Sequence, residues 1–462
     1  MSVTATQQIY EMSPHQEATI SSPSSSTYHE IDDELQPEKE KEKLSDLKQY
    51  IRSVTPCALG GVVCGLNDGS IGTILPRIKE YYGITDGIVS LLFMCSALGF
   101  VTSASLNGTL VHKVGQRPLL YFAATLIVVA FAFLSAGFPF GAMGFFIGCS
   151  GFGCALLNAG ANVYMASLPY ATLMLNLFHA TYGVGAMVAP LVGTFLLERN
   201  ISWKGVYVFN TVIAFITLVT YVYGFWKVNF EIPEDNNNNS NEANTENKLT
   251  HAQLTRAAIF HRMTLTGCVF VLFYVGVEAT LGGWGYTFLT EKRSGDEISM
   301  GKVMSGYWAG LAAGRLTLGY FTGRLGEKLM VTVFTLFIIT ALFLMIFLSN
   351  IALNSTVLIA IGFFLGPLFP TTVSLASKVL PRSYHATSIG LIAAKNDIHN
   401  HLNSLGSSGA AIFPFLTGQI TSKFGLLAVP VACLIMSSVM MCLWMFLPSD
   451  RPFFGALRLK MS

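Results

Sequence analysis

Glu278 is a carboxylate inside a long apolar run, Phe273-Tyr-Val-Gly276-Val-Glu278-Ala-Thr-Leu-Gly-Gly-Trp284. A charge at the centre of a bilayer costs about 2.5–3.5 kcal/mol on insertion scales. Such a group must face a wet cavity, pair with a cation or hold a proton. It is therefore either a proton carrier or a paired or protonated glutamate that ties helices together. Asn67 and Asp68 occupy the corresponding place in an earlier apolar run. Asp68 reads as a second titrating group or a hydrogen-bond acceptor for a solute; alternatively Asn-Asp-Gly only reshapes its span. Asn158 and Asn162 are four residues apart and share a helix face, which suits a cavity or an interhelical bond. His179 adds a side chain whose charge changes near neutral pH, or a neutral imidazole bonded to a neighbour. Trp284, Tyr307 and Trp308 are flat enough to stack on a sugar ring, and equally suited to packing. Arg315 lies nine residues before Arg324 on one helix, deep enough to point inward. It reads as half of a structural ion pair near the cytosolic gate, grouped with the gating-loop residues, with anion binding the alternative.

The elements that carry these residues are membrane spans. Hydrophobic residues make up 52% of the 462-residue chain and charged residues 12%, about half the globular norm. Spans are predicted near 54–76, 89–110, 118–137, 140–166, 172–197 and 205–226. Six more follow near 263–289, 301–322, 329–349, 354–379, 384–422 (interrupted) and 425–447. The chain is also written twice. Gly65, Gly99, Lys113, Gly115, Arg117 and Gly151 recur 211 residues later as Gly276, Gly310, Arg324, Gly326, Lys328 and Gly362, with Lys and Arg taken as one class. Two similar halves in a membrane are the mark of a transporter that rocks about a central site. The expected fold is an all-α membrane protein of twelve helices in two pseudosymmetric six-helix bundles. Residues 51–226 form the first bundle and residues 261–448 the second. A polar linker (227–260) joins them, and tails span 1–50 and 449–462. The basic residues place both termini and the Lys113 and Arg324 loops in the cytosol, with the Arg77 and Lys302 ends opposite. The Asn238 sequon then faces inside and carries no glycan.

The loop after the second span reads Gly108-Thr-Leu-Val-His112-Lys113-Val-Gly115-Gln-Arg117, and its counterpart reads Gly319-Tyr-Phe-Thr-Gly323-Arg324-Leu-Gly326-Glu-Lys328. These resemble the two cytosolic loop motifs of the major facilitator superfamily. His112 stands where that family usually carries an acid. Glycines allow the tight turn, and the cations suit helix C-terminal carbonyls or carboxylates on a neighbouring helix. The Glu278 run, Asn158-Ala-Gly-Ala-Asn162-Val-Tyr164, Leu175-Asn176-Leu-Phe-His179-Ala-Thr-Tyr182-Gly183 and Gly366-Pro367-Leu-Phe-Pro370 are similar to the fucose-permease-like branch and its fungal bypass-of-stop-codon group. The resemblance implies two bundles about a central cavity with Tyr182 among its lining. It also implies a small polar solute, such as a sugar, moved with a proton. Where the bacterial pattern carries coupling carboxylates on spans one and four, this chain has Gly72 and Asn158.

The run from Lys395 to Ser404 breaks the second copy with about twelve extra residues. It reads as a looped-out bulge, an error in the coding sequence or, through His399 and His401, a metal site; the last is the weakest, and no metal or cofactor is expected. The partners expected are a solute, a proton and lipid, with no nucleic acid, and the chain is expected to act as a monomer. A facilitative uniporter and a non-transporting nutrient receptor are the alternatives. No P-loop or clustered catalytic set appears, so neither an enzyme nor an ATP-driven pump is expected. The sequence leaves open the plasma membrane or an internal one.

Overall fold

A computed structural model describes residues 49–169, 171–228, 261–380 and 405–448, without the side chains of residues 171–172 and 405–408. The tail ahead of residue 49, most of the linker with Asn238, and the Lys395–Ser404 run lie outside the described residues.

Twelve helical spans are described. They are α1 (Ile51–Tyr82), α2 (Leu91–Val114), α3 (Gln116–Ala136), α4 (Phe140–Ala166), α5 (Ala171–Glu198), α6 (Lys204–Phe225), α7 (Arg262–Thr287), α8 (Glu297–Leu325), α9 (Glu327–Phe347), α10 (Ile351–Leu365), α11 (Leu405–Phe424) and α12 (Ala428–Phe446). A one-turn helix, Asp86–Val89, precedes α2, and Leu368–Val379 continues α10 beyond a break at Gly366 and Pro367. Among the described residues, ten segments are long and apolar enough to cross a membrane by length and composition.

The packing repeats as the sequence does. In the first half α1 packs on α5, α2 on α4, and α3 on α6; in the second α7 packs on α11, α8 on α10, and α9 on α12. The recurring glycines sit at these crossings. A Cβ at Gly99 would collide with the carbonyl oxygen of Gly148, and one at Gly151 with that of Ser96. Their counterparts Gly310 and Gly362 meet the carbonyl oxygens of Ile359 and Tyr307 in the same way. Without side chains the backbones close to contact, the small-residue packing that replaces hydrophobic driving force in lipid.

The halves meet through α1 with α7, α2 with α11, and α5 with α8. The polar links across this seam cluster at one face. Arg77 on α1 bonds Glu297 on α8 at 2.7 Å, and Lys79 bonds Glu291 at 3.0 Å. Lys79 also holds Asp86 at 2.6 Å, and Gln419 on α11 donates to the Gly87 carbonyl at 2.7 Å. Glu291 lies on a π-helical turn, Phe288–Lys292, that widens the end of α7. Between α7 and α8, Asp296 caps α8 by accepting from the Ser299 N–H at 2.9 Å. That backbone hydrogen bond holds the Asp296 carboxyl below its ordinary range.

At the opposite face lie the two loop motifs. Gly115 and Gly326 turn the chain at φ +89° and +105°, a region that favours glycine. Arg117 donates to the carbonyls of Trp226 and Val228 beyond α6. Lys328 donates to those of Trp444 and Leu447 at the end of α12. These contacts stay within a half. Leu316, Tyr320 and Phe321 on the nearby part of α8 are exposed.

Candidate functional site

The titratable residues of the apolar spans converge where α1 and α5 of one half face α7 and α8 of the other. Glu278 sits mid-way along α7 and its Oε1 accepts from Arg315 Nη2 at 3.3 Å. Their side chains are 13% and 27% exposed, so the pair is mostly withdrawn from solvent. The same Nη2 donates to the Tyr274 hydroxyl at 3.4 Å. Tyr274 is four residues before Glu278 and shares its helix face, so one turn of α7 supplies both partners. Tyr307 Oη donates to the Glu278 backbone carbonyl at 3.0 Å. Arg315 can enter because Gly366 lets the end of α10 lie against the backbone of α8: a Cβ there would fall 2.6 Å from the Arg315 nitrogen. Among the described residues, the buried Arg315 Nε has no hydrogen-bond partner.

Opposite this pair, Asp68 is exposed although it lies in the interior of α1. Its Oδ2 accepts from the Tyr182 hydroxyl at 2.7 Å and its Oδ1 from Asn67 Nδ2 at 2.9 Å. Asn67 Oδ1 in turn accepts from Ser150 on α4 at 3.0 Å. Asp68 lies within electrostatic reach of Glu278, and Tyr182 of Arg315. The two halves thus present one carboxylate each, and the Arg315 guanidinium contacts that of Glu278.

The remaining expected residues are placed as follows. Asn162 is buried and donates to Asn158 Oδ1 at 3.0 Å, while Asn158 is half-buried. His179 is half-buried on α5, one turn from Tyr182, with its ring edge-on to Phe178. Trp284 is fully buried, its Nε1 donating to the Pro414 carbonyl at 2.9 Å. Tyr307 is likewise buried, and Trp308 packs against Gly282. In this conformation these three rings are packing elements between helices rather than exposed platforms. Gly108 lies on α2 with Lys113 near its end. Arg324 lies over the Tyr320 ring at 4.8 Å, and Gly319 faces open space. The loop-motif residues are therefore remote from the Glu278 cluster. Gly72 lies where α1 crosses α7, and a Cβ there would collide with the Gly282 carbonyl, so no carboxylate fits at that position in this state. Sequence reasoning missed Tyr274, Ser150 and the partners Glu291 and Glu297. Tyr274 had a signal, its four-residue spacing from Glu278; the others need contacts between distant segments.

A duplicated helical bundle with ionisable groups at the seam defines a membrane transporter scaffold. The Major Facilitator Superfamily profile matches residues 57–398, and the chain belongs to that family. It is 27% identical over 421 residues to Bypass of stop codon protein 6 of Saccharomyces cerevisiae, covering 86% of this chain and 82% of the yeast protein. It is 21% identical over 351 residues to the glucose/mannose transporter GlcP of Bacillus subtilis, covering 76% and 83%. Among solved structures, a nucleoside transporter, NupG, superimposes with TM-score 0.66 at 14% identity, over 85% of this chain and 98% of its own. The E. coli fucose:proton symporter FucP superimposes with TM-score 0.57 at 15% identity, over 87% and 100%. GlcP, NupG and FucP are named as transporters or symporters, and the chain is a transporter of this superfamily rather than an enzyme.

Proposed function

We propose that this protein moves a small polar solute of the sugar or nucleoside type across a membrane by alternating access, with a proton as the coupling ion. The observation that carries this reading is the cluster of Asp68, Tyr182, Glu278 and Arg315 at the seam of two repeated halves. The seam is bridged by ion pairs at the Arg77 face, while the loop-motif contacts remain within each half. Solute would enter from the loop-motif side in this conformation. Asn67, Asp68, Asn158 and Tyr182 offer the mixed donors and acceptors that a polyol needs. Glu278, Asp68 and His179 are the titrating groups of the site. Relatives named for glucose/mannose, nucleoside and fucose:proton transport support the solute class and the coupling.

Reconstitution into proteoliposomes tests the reading. Radiolabelled D-glucose, L-fucose and uridine would be offered with and without an inward proton gradient. At least one is expected to accumulate above its external concentration and to leak back when a protonophore is added. Glu278→Gln is expected to remove the gradient dependence while leaving a monodisperse protein. Equilibration of each solute at the same rate in empty and protein-containing vesicles would contradict it.

A further inference from the structure

Between the two halves, α5 and α8 make a contact that is tight at one end and open at the other. Gly301, Ser305, Trp308 and Ala312 follow one another at three- and four-residue steps, so they share the α8 face turned to α5. A Cβ at Gly301 would collide with the Thr194 methyl carbon of α5, and one at Gly183 would lie 3.4 Å from Ala312. Beyond Ala312 the helices part. Nothing lies within 4 Å of a Cβ at Gly319 or Gly323, and Leu316 and Tyr320 are exposed. The tight stretch runs toward the Arg77 face and the open one toward the loop motifs.

Two polar groups are shut inside the tight stretch. Ser305 and Trp308 are each 5% exposed. Among the described residues, neither the Ser305 hydroxyl nor the Trp308 indole N–H has a hydrogen-bond partner. Trp308 also reaches the other seam helices: a Cβ at Gly282 of α7 would lie 2.8 Å from its ring, and the Gly282 carbonyl meets Gly72 of α1. Neighbouring polar groups are satisfied. Thr194 Oγ1 donates to the Pro190 carbonyl at 2.8 Å, and Trp284 Nε1 to that of Pro414 at 2.9 Å. A buried donor without a partner costs free energy, so these two groups are ill-suited to the closed seam and well suited to one that opens.

We infer that Ser305 and Trp308 form a second solute subsite, present only when α5 and α8 part at the Arg77 face. The subsite rests on the transporter reading and adds a station to it. Seven residue steps separate Trp308 from Arg315, a rise of about 10 Å along α8. Its chemistry is neutral: a flat ring, an indole N–H that only donates, and a hydroxyl that donates or accepts. That set takes a hydroxylated ring, stacked on the indole with one of its oxygens accepting from Nε1, and does not select an ion. Closure of the seam brings Thr194 back against Gly301 and leaves the solute no room there, so it passes on to Asp68, Glu278 and Arg315. Solute arriving from the loop-motif side meets that deeper cluster without crossing the closed stretch.

The test compares the two faces. D-glucose, L-fucose and uridine serve as probes in proteoliposomes, and half-saturation is measured by zero-trans uptake and by zero-trans efflux. Trp308→Phe keeps an aromatic ring and removes the N–H. It is expected to raise half-saturation from the Arg77 face about two- to tenfold, the worth of one neutral hydrogen bond, and to leave the loop-motif face unchanged. Ser305→Ala is expected to act in the same sense, and it carries the comparison should Trp308→Phe not fold. Equal shifts at both faces, which a mere packing role would give, or no shift at either, overturn the subsite. A second arm needs no solute. The indole N–H groups are labelled with 15N, assigned by replacing the five tryptophans singly, and followed by NMR in deuterated buffer. Trp308 is expected to exchange about tenfold faster, or more, than Trp444, whose N–H is held by the Lys328 carbonyl inside one half. Exchange as slow as that of Trp444 overturns the subsite whatever uptake shows. Transport of none of the three probes by wild type would instead count against the sugar or nucleoside reading, and the exchange result would then decide the subsite.

Discussion

At the scale of residues, the Glu278–Arg315 pair decides how much the site can tolerate. Removing one partner leaves the other charge uncompensated at membrane depth, which is worse than removing both. Glu278→Gln and Arg315→Gln are each expected to lower stability by about 1–3 kcal/mol. That is short of the ~3–5 kcal/mol of a fully enclosed pair, because Arg315 keeps 27% of its side chain exposed. The double variant is expected to recover part of the loss. Thermal unfolding of the four proteins in one detergent checks this; a double variant as unstable as the sum of the singles would show that the pair contributes nothing jointly. Glu278 was legible in the sequence because a lone carboxylate in an apolar run has few ways to exist. Its partner was not: Arg315 lies 37 residues away, and only the α7–α8 packing chooses it over other cations.

At the scale of elements, the repeated glycines are contacts rather than hinges. Gly99→Ala would drive a methyl group into the Gly148 carbonyl, backbone that cannot swing aside. It is expected to cost about 1–3 kcal/mol, the usual penalty of overpacking. Gly319→Ala, with nothing within 4 Å of its Cβ, is expected to be neutral or to stabilise α8 by up to ~1 kcal/mol. Melting curves of the two variants separate these cases, and equal losses would contradict the crossing geometry. This contrast explains what the sequence could show. The 211-residue repeat exposed the crossings because close backbone approach leaves no choice of side chain. The break at Gly366 and Pro367 was read through as one span, since both neighbours are apolar. The π turn at Phe288–Lys292 has no residue signature of its own. The Asp296 cap adds a pH effect of known sign. Its carboxyl is held below the ordinary value, so its contribution is present above that ordinary value and lost as pH falls through the depressed one. Asp296→Asn is expected to flatten this acid limb in melting temperatures measured across pH; an unchanged acid limb would remove the cap from the account of stability.

At the scale of the whole molecule, the Arg77 face is held by charges drawn from both halves. Arg77 and Glu297 are 38% and 46% exposed, so each cross-seam pair is worth only about 0.2–1 kcal/mol. Weak latches suit the opening at this face that the proposed alternating access requires. Removing both, as Glu291→Gln with Glu297→Gln, is expected to shift the population open at the Arg77 face by roughly two- to thirty-fold. High salt should act in the same direction. Accessibility of a cysteine at Ser202 to a membrane-impermeant thiol reagent would not read the seam, whereas Phe93→Cys, buried against Trp284 beneath these pairs, would. Its labelling rate should rise in the double variant, and an unchanged rate would mean that the pairs do not hold the face shut.

Alternating access about the Glu278 cluster is tested most directly by paired distances at the two faces. Spin labels at Val114 and Leu325, both exposed at the loop-motif face, report one side; labels at Ser202 and Lys302 report the other. The eight native cysteines would first be replaced. In liposomes, double electron–electron resonance is expected to show two populations at each face, with acidification and the Glu291/Glu297 substitutions moving the two pairs in opposite senses. A single unchanging distance at both faces, or both faces widening together, would contradict it.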